Sequence, residues 1–364
     1  MKAMKTLKCC LILLSVLPLV LAASTGCHSL GPRTVPRDRF DYSASLADSW
    51  KSMMLLNIVK TRYLDLPIFL DVGQVVSSYT LEASGNLGGS LYGSGGGGSA
   101  NSLSLGGAAR YSQQPTITYT PLTGDKFLEA FLNPVDPTRV FALIQSGYAA
   151  DFVLQLGVES LSGLRNQPVG LASKYQADPE FFRVLGLLRE VQDARAVGLR
   201  IERPTNGQPG TVFFFRSDKV PPDIQAKITE IRELLGLHAG ESAFRLVASP
   251  LQGGPGELTV DTRSLWQMLI AMAIGVDVPP EHEKRKLTPP FTGAHTRESL
   301  LLHVHSGPSK PTDAYVAVPY EGQWFWLAND DWKSKRTFGS ILFLFSLANT
   351  GGAPSPPTLT IPTR

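Results

Sequence analysis

Two histidines one residue apart, His303 and His305, have the type and spacing that best suit chemistry. They flank Val304 in a segment that predicts a β-strand, where alternate side chains point to the same side. Imidazole pairs of this kind bind zinc or copper. A metal site needs a further ligand, and three candidates lie upstream: His282, Glu283 and His295. The favoured interpretation is nevertheless two polar positions on a solvated strand face, so we expect no metal site.

A second group of candidate residues follows in the C-terminal part of the chain. Trp324, Phe325 and Trp326 are consecutive in a predicted strand, for which packing against the next helix is favoured over a glycan-stacking face. Asp330 and Asp331 precede that helix and are interpreted as helix caps rather than as cation ligands.

The first turn of the same helix is basic. Lys333, Lys335 and Arg336 are poorly placed for the helix dipole. They hint at contact with an acidic ligand or partner.

No nucleophile motif or metalloprotease motif occurs in the sequence, so we expect neither enzymatic activity nor a cofactor. The net charge of the chain is +3, and this surplus comes from Lys2, Lys5 and Lys8. Without residues 1–26 the chain carries 31 basic and 31 acidic residues, and it has no basic runs. This balance gives no electrostatic case for nucleic-acid binding.

The first 26 residues predict a secretory signal. The three lysines are followed by an apolar run, from Cys9 to Ala23, that is short for a membrane span. The segment that ends in Thr25-Gly26-Cys27 resembles the lipobox of bacterial lipoproteins, which implies lipidation at Cys27. The same resemblance and the following His28 imply attachment to the outer membrane, on its periplasmic face. An ordinary cleaved signal is the alternative.

The remaining pattern predicts an α+β fold, with small mixed sheets and packed helices. Apolar periodicity predicts helices at 41–64, with Met54, Asn57 and Ile58 on the inward face, at 137–146, at 222–237, with Ile224, Ile228 and Ile231 inward, and at 263–274, where Gly275 ends the helix. Strands are predicted at 68–72, as a buried strand, at 300–305 and at 358–361, and the apolar run from Asp151 to Leu161 fits either a helix or a strand. We expect a tether at 27–40, an N-terminal region at 41–200, a βαββα module at 201–280 and a β-rich region with one helix at 281–364. The order of the module resembles the small ring-building modules of secretin-type outer-membrane assemblies, in topology alone.

A long Gly/Ser-rich amphipathic β-hairpin is predicted over residues 79–113, because apolar and polar residues alternate on both sides of a glycine run. A turn centred on Gly96 places Glu82 opposite Arg110. The apolar face then carries the expected membrane or partner contacts: Tyr79, Leu81, Leu87, Leu91, Leu103, Leu105 and Tyr111. Open edges are not tolerated in lipid, so membrane contact requires hairpins from several subunits. A glycine-serine surface excursion and a hairpin covered inside a soluble sheet stay open as alternatives.

Several segments are similar to an uncharacterised family of proteobacterial outer-membrane lipoproteins, for which no activity is known. They are Leu55–Lys60 with Arg62-Tyr63, Pro67–Val72, Pro115–Leu122 and Ser334–Phe338.

The sequence therefore predicts a lipid-anchored structural or assembly component of an envelope complex. Its expected partners are outer-membrane lipid and either further copies of itself or another envelope protein. A periplasmic glycan- or peptide-binding module built on Trp324 and Trp326 is one alternative. A metal-dependent envelope hydrolase centred on His303 and His305 is the other.

Overall fold

The structure is a computed structural model that describes residues 30–90, 102–169, 176–202, 210–216, 218–290 and 300–349. The signal, Cys27, Leu91, His295 and the predicted terminal strand at 358–361 lie outside these residues. The chain divides into two compact units, Met1–Lys51 and Ser52–Arg364. Helices and several small mixed sheets are present, so the predicted α+β class is confirmed.

The described residues form nine helices and eleven strands. The helices are α1 Leu30–Arg62, α2 Asp125–Leu132, α3 Pro137–Gln145, α4 Ala150–Gly157, α5 Pro179–Asp193, α6 Pro222–Leu234, α7 Leu265–Ala273, α8 Pro280–Lys284 and α9 Trp332–Asn349. The strands are β1 Leu70–Ser90, β2 Ser102–Pro121, β3 Val158–Leu161, β4 Leu164–Arg165, β5 Val197–Glu202, β6 Gly210–Phe215, β7 Ala243–Ala248, β8 Glu257–Thr262, β9 His305–Gly307, β10 Ala314–Tyr320 and β11 Gln323–Ala328.

A six-stranded sheet in the order β4-β3-β8-β7-β6-β5 carries most of the core. Only β7 and β8 run parallel, and the Gly-Gly-Pro-Gly segment lies within their connection. The elements β6, α6, β7, β8 and α7 follow one another in the predicted βαββα order. The boundary expected at residue 201 falls inside β5, and strands from both sides of it join this one sheet.

Helix α6 packs by the predicted face. Ile224, Ile228 and Ile231 recur at intervals of three and four residues, and all three are buried. On the sheet side, Phe213 and Phe215 of β6 make edge-to-face contact with centroids 5.0 Å apart. Apolar periodicity alone therefore located this part of the core.

The apolar run from Asp151 to Leu161 left helix and strand open, and it contains both. Helix α4 ends at Gly157, and β3 begins at the next residue, Val158. A fully buried run of this kind carries no period that separates the two states.

Helix α1 is longer than predicted. The sequence placed a tether at 27–40 and a helix from Asp41, but the helix begins at Leu30. Pro32 is compatible with this because the N–H that proline lacks has no partner in the first turn of any helix. The predicted inward face is confirmed at Met54, Asn57 and Ile58, all of which are buried.

A buried strand was predicted over residues 68–72, and this prediction is wrong. The strand begins at Leu70, and Ile68 and Leu70 are 51% and 39% exposed. Only Phe69 is buried, with its ring centroid 4.4 Å from that of Phe345 in α9. Phe69 therefore anchors the start of β1 to the body while its neighbours stay at the surface.

Strands β1 and β2 pair antiparallel along their whole length, from Leu70↔Pro121 to Ser90↔Ser102. The register places Glu82 opposite Arg110, and it shifts once between Val72 and Gln74. At about 3.3 Å per residue, arms of 21 and 20 residues reach about 65 Å.

The C-terminal sheet has the order β10-β11-β9. A tight turn at Glu321 and Gly322, with φ of 48° and 76°, joins β10 to β11. The strand predicted over residues 300–305 is wrong, since β9 begins only at His305. The residues before it bond to α9 and to residues 275–277 instead of to a strand ladder.

Candidate functional site

Three side chains with metal-ligating atoms meet in one place: Asp277, His303 and His305. Their ligand atoms all lie within 4.8 Å of one another. His303 Nε2 is 2.8 Å from Asp277 Oδ2, and the two imidazole centroids are 4.1 Å apart. We call these three residues the His–His–Asp cluster. The two rings share one side, as predicted, but the third member is Asp277 rather than a residue predicted from the sequence.

Main-chain hydrogen bonds fix the spacing of the cluster. Val304 N–H donates to the Gly275 carbonyl, and Asp277 N–H donates to the Val304 carbonyl, both at 2.9 Å. These bonds form an isolated parallel bridge between Val276 and Val304. Val304 is fully buried, so the histidines on either side of it turn away from the core towards Asp277.

Gly275 permits this close approach of two chain segments. A Cβ at this position would lie 2.0 Å from the Leu302 carbonyl oxygen, far inside van der Waals contact. Asp277 was not predicted as a ligand, because the bridge that places it beside the histidines joins segments more than twenty residues apart. The glycine at the predicted end of α7 was the only local sign, and it was interpreted as a helix stop.

The N-terminus of α9 holds the other side of the cluster. His303 N–H donates to Ser334 Oγ at 2.9 Å, and the Ser334 hydroxyl donates to Asp331 Oδ2 at 2.6 Å. Asp331 Oδ1 also accepts from Ser334 N–H at 3.0 Å, which confirms the predicted capping role. Thr337 donates to the Leu301 carbonyl one turn later. The backbone before His303 is thus tied to α9 twice.

The electrostatics of this corner favour a carboxylate at Asp331. Partial burial acts to raise the pKa of Asp331, but hydrogen bonds from the Ser334 side chain and from the backbone of Ser334 and Lys333 outweigh it. The nearby His303 acts in the same direction, and the net pKa of Asp331 lies below its ordinary value.

The cluster opens onto a cleft of about 480 Å³. Its lining combines apolar residues with charged ones: Leu300, Leu302, His303, His305, Ala328, Asp330, Asp331, Lys333 and Ser334. The Asp277 side chain is 52% exposed and that of His303 is 14% exposed. An ion at the cluster would therefore be reachable from solvent.

Of the upstream candidate ligands, the two that the structure describes do not join the cluster. His282 is buried, and its Nδ1 lies 2.7 Å from the Tyr63 hydroxyl. Burial raises the pKa of Tyr63 to about 12, so the phenol stays protonated. Glu283 is exposed on α8, and His295 lies outside the described residues. His282 connects the end of α1 to α8 and has a structural role.

The aromatic side chains of β11 alternate between the two faces of the sheet. Phe325 is fully buried, whereas Trp324 and Trp326 are half-buried on the other side. His305 stacks on Trp326 with centroids 5.5 Å apart, and the Lys310 ammonium lies 5.5 Å from the Trp324 ring centroid. The prediction that all three pack in the core is wrong for the two tryptophans, because alternate residues of a strand face opposite sides.

The basic residues at the start of α9 have partners within the fold. Lys335 donates to the carbonyl and the side chain of Asn329 and lies over the Tyr315 ring. The Arg336 guanidinium lies 4.2 Å from the Phe152 ring centroid, and burial lowers the pKa of Arg336. Lys333 lines the cleft.

The hairpin formed by β1 and β2 is the second candidate site. Its register puts Leu81 opposite Tyr111 and Leu87 opposite Leu105, with Tyr79 and Leu103 at other positions of the same face. Further apolar side chains are exposed before β1 and at its first residue, near the end of β2 and on α2. They are Leu64, Leu66, Ile68, Leu70, Ile117, Tyr119, Leu128 and Leu132.

Within the described residues, no helix combines the length and the apolarity that crossing a membrane requires. The chain matches no family model, no curated protein and no solved structure. The similarity to uncharacterised lipoproteins therefore stays a prediction.

Proposed function

We propose that this chain is a lipid-anchored outer-membrane lipoprotein that acts without catalysis as an assembly component of an envelope complex. In this proposal Cys27 carries the lipid, and the β1–β2 hairpin is the contact surface. The hairpin engages further copies of the chain, and its apolar face is buried on assembly, against another hairpin or against lipid.

One observation carries the proposal: β1 and β2 pair with each other and, among the described residues, with no third strand. A two-stranded hairpin is at best marginally stable in water by itself. Strand edges of this length are templates for pairing unless charges, prolines or a cover protect them. Here Asp71, Glu82 and Arg110 are the only charged residues in the two strands, and the prolines are confined to β2, at Pro115 and Pro121.

The composition of the two faces supports burial of one of them. Tyr79, Leu81 and Leu87 alternate with polar or small residues, and the register pairs Leu81 with Tyr111 and Leu87 with Leu105. Further apolar residues are exposed at the start of β1, near the end of β2 and on α2. Exposed apolar surface that is contiguous marks an interaction site on a folded chain. A second copy offers the same surface, as closed symmetric assemblies require.

The test is the mass of the detergent-extracted, lipidated protein, with and without residues 79–113. We expect a discrete oligomer for the full chain and a smaller species for the deletion, measured by native mass spectrometry or light scattering. A full-length protein that is monomeric over the whole micromolar range would contradict self-association.

A pair of matched double variants asks which face is buried. Leu87→Lys with Leu105→Lys places two lysines opposite each other on the apolar face, and Gly88→Lys with Ser104→Lys does the same one position along, on the other face. Both pairs carry the same charge repulsion across the strands. We expect only the first pair to weaken the oligomer. Equal effects would show that the faces do not differ, which the proposal does not allow.

A further inference from the structure

We propose that Asp277, His303 and His305 form a binding site for one divalent transition-metal ion, with zinc as the reference ion. This site goes beyond the proposed assembly function and does not depend on it. The sequence favoured a solvated strand face at these histidines. The tertiary structure instead supplies a third ligand and a cleft.

The ligand set selects the class of metal. Two imidazole nitrogens and one carboxylate suit zinc, copper, nickel and ferrous iron, whereas calcium and magnesium prefer oxygen ligands alone. Zinc sites with three protein ligands keep a fourth position for water or another ligand. His303 and His305 line the cleft of about 480 Å³, which gives a further ligand access to the two imidazoles.

The geometry requires only small adjustments. In tetrahedral zinc sites with ligand distances of about 2.1 Å, ligand atoms lie about 3.4 Å apart. The atoms of the cluster are all within 4.8 Å of one another, and the His303–Asp277 contact is 2.8 Å. The Asp277 side chain is 52% exposed, and its rotation would accommodate an ion between the three ligands.

The backbone beneath the three ligands is already in place. Val304 is bonded to Gly275 and Asp277 on one side, and His303 N–H is bonded to Ser334 on the other. His305 is further held by stacking on Trp326. A site whose ligands are positioned by supporting contacts loses little entropy when the ion enters.

The charge around the cluster also suits a cation. Among the described residues, Asp277, Asp330 and Asp331 bring three carboxylates to the cluster and the cleft beside it, against the single ammonium of Lys333. Asp331 is committed to capping α9, so we assign it no bond to the metal. Its charge still contributes to the potential at the cluster.

The experiment uses the full chain in detergent, purified without a polyhistidine tag and stripped with EDTA. Zinc sulfate is titrated against a chromogenic chelator, and the bound metal is counted by mass spectrometry of the intact protein. We expect one zinc ion per chain. Asp277→Asn, His303→Ala and His305→Ala should each weaken zinc affinity by roughly tenfold or more.

His238→Ala is the matched control, because His238 is exposed and outside the cluster. Circular dichroism and the unfolding midpoint of each metal-free variant verify the fold. If His303→Ala does not fold, His305→Gln and Asp277→Asn decide the question, since both nearly keep the side-chain size. Absence of zinc binding, or wild-type affinity in the folded cluster variants, would overturn the proposal.

Discussion

Gly275 shows how one missing side chain decides the geometry of the His–His–Asp cluster. Its backbone accepts a hydrogen bond from Val304, and the Leu302 carbonyl fills the space that a Cβ would occupy. The two segments that carry the ligands meet only because this space is open. Gly275 offers no side-chain ligand itself, yet it sets the distance between the three residues that do.

Gly275→Ala is therefore expected to destabilise the protein by about 1–3 kcal/mol, because the two backbones must separate or strain. Urea denaturation measures the change in the free energy of unfolding. Gly339→Ala is the control, since nothing lies within 4 Å of a Cβ at that exposed helical position. That substitution should stabilise by up to about 1 kcal/mol through helix propensity. Equal responses at the two glycines would refute this account of Gly275.

At the scale of the element, helix α9 links the C-terminal sheet to the core by its packing and hydrogen bonds. Phe338, Ile341 and Phe345 are buried on one face, at intervals of three and four residues. Its first turn carries the cap at Asp331 and the Ser334 hydroxyl that holds His303. The same helix therefore begins beside the candidate metal site and reaches the aromatic core at Phe345.

Removal of the cap tests this connection. Asp331→Ala should lower the free energy of unfolding by about 1–2 kcal/mol, because Ser334 N–H loses its acceptor and the Ser334 hydroxyl loses its orientation. Asp330→Ala is the neighbouring control, and as an exposed substitution it should change stability by less than about 0.5 kcal/mol. Chemical denaturation of both variants gives the comparison. A loss of the same size at Asp330 would point to the local charge rather than to the cap.

At the scale of the whole molecule, the six-stranded sheet and the hairpin are stabilised by different contacts. The six-stranded sheet is covered by helices and contains the buried apolar residues of β6 and β8. The hairpin forms a sheet of its own, and Phe69 at its base packs against Phe345. The body buries its apolar residues within one chain, whereas the two-stranded hairpin needs further contacts to be stable. This contrast is the physical basis for the proposed assembly function.

The proposed anchor is tested at the same scale, by the chemistry of the N-terminus. Cys27→Ser should abolish acylation and release the protein from membranes, because the thiol is the group that receives the lipid. Intact mass after expression in a bacterial host, together with membrane fractionation, measures both effects. Cys9→Ser is the control, since Cys9 lies within the predicted signal and should leave the mature mass unchanged. Membrane retention of Cys27→Ser would contradict lipid anchoring by this residue.

Regular periodicity was enough to predict several elements from the sequence. The inward face of α6, the helix from Pro137 and the cap at Asp331 all depend on neighbours within one or two turns. The strand expected at 300–305 and the buried strand at 68–72 failed for the opposite reason. Their states depend on distant groups: Ser334 for the first and Phe345 for the second.

Local spacing of apolar and polar residues was enough to predict the α+β class, the order of most elements and the alternation along the two hairpin strands. The contacts of Asp277 with His303 and His305, and of His282 with Tyr63, arise only in the folded chain. Such contacts join segments far apart in the chain, through a backbone bridge that one glycine permits. No local pattern encodes the distance between them.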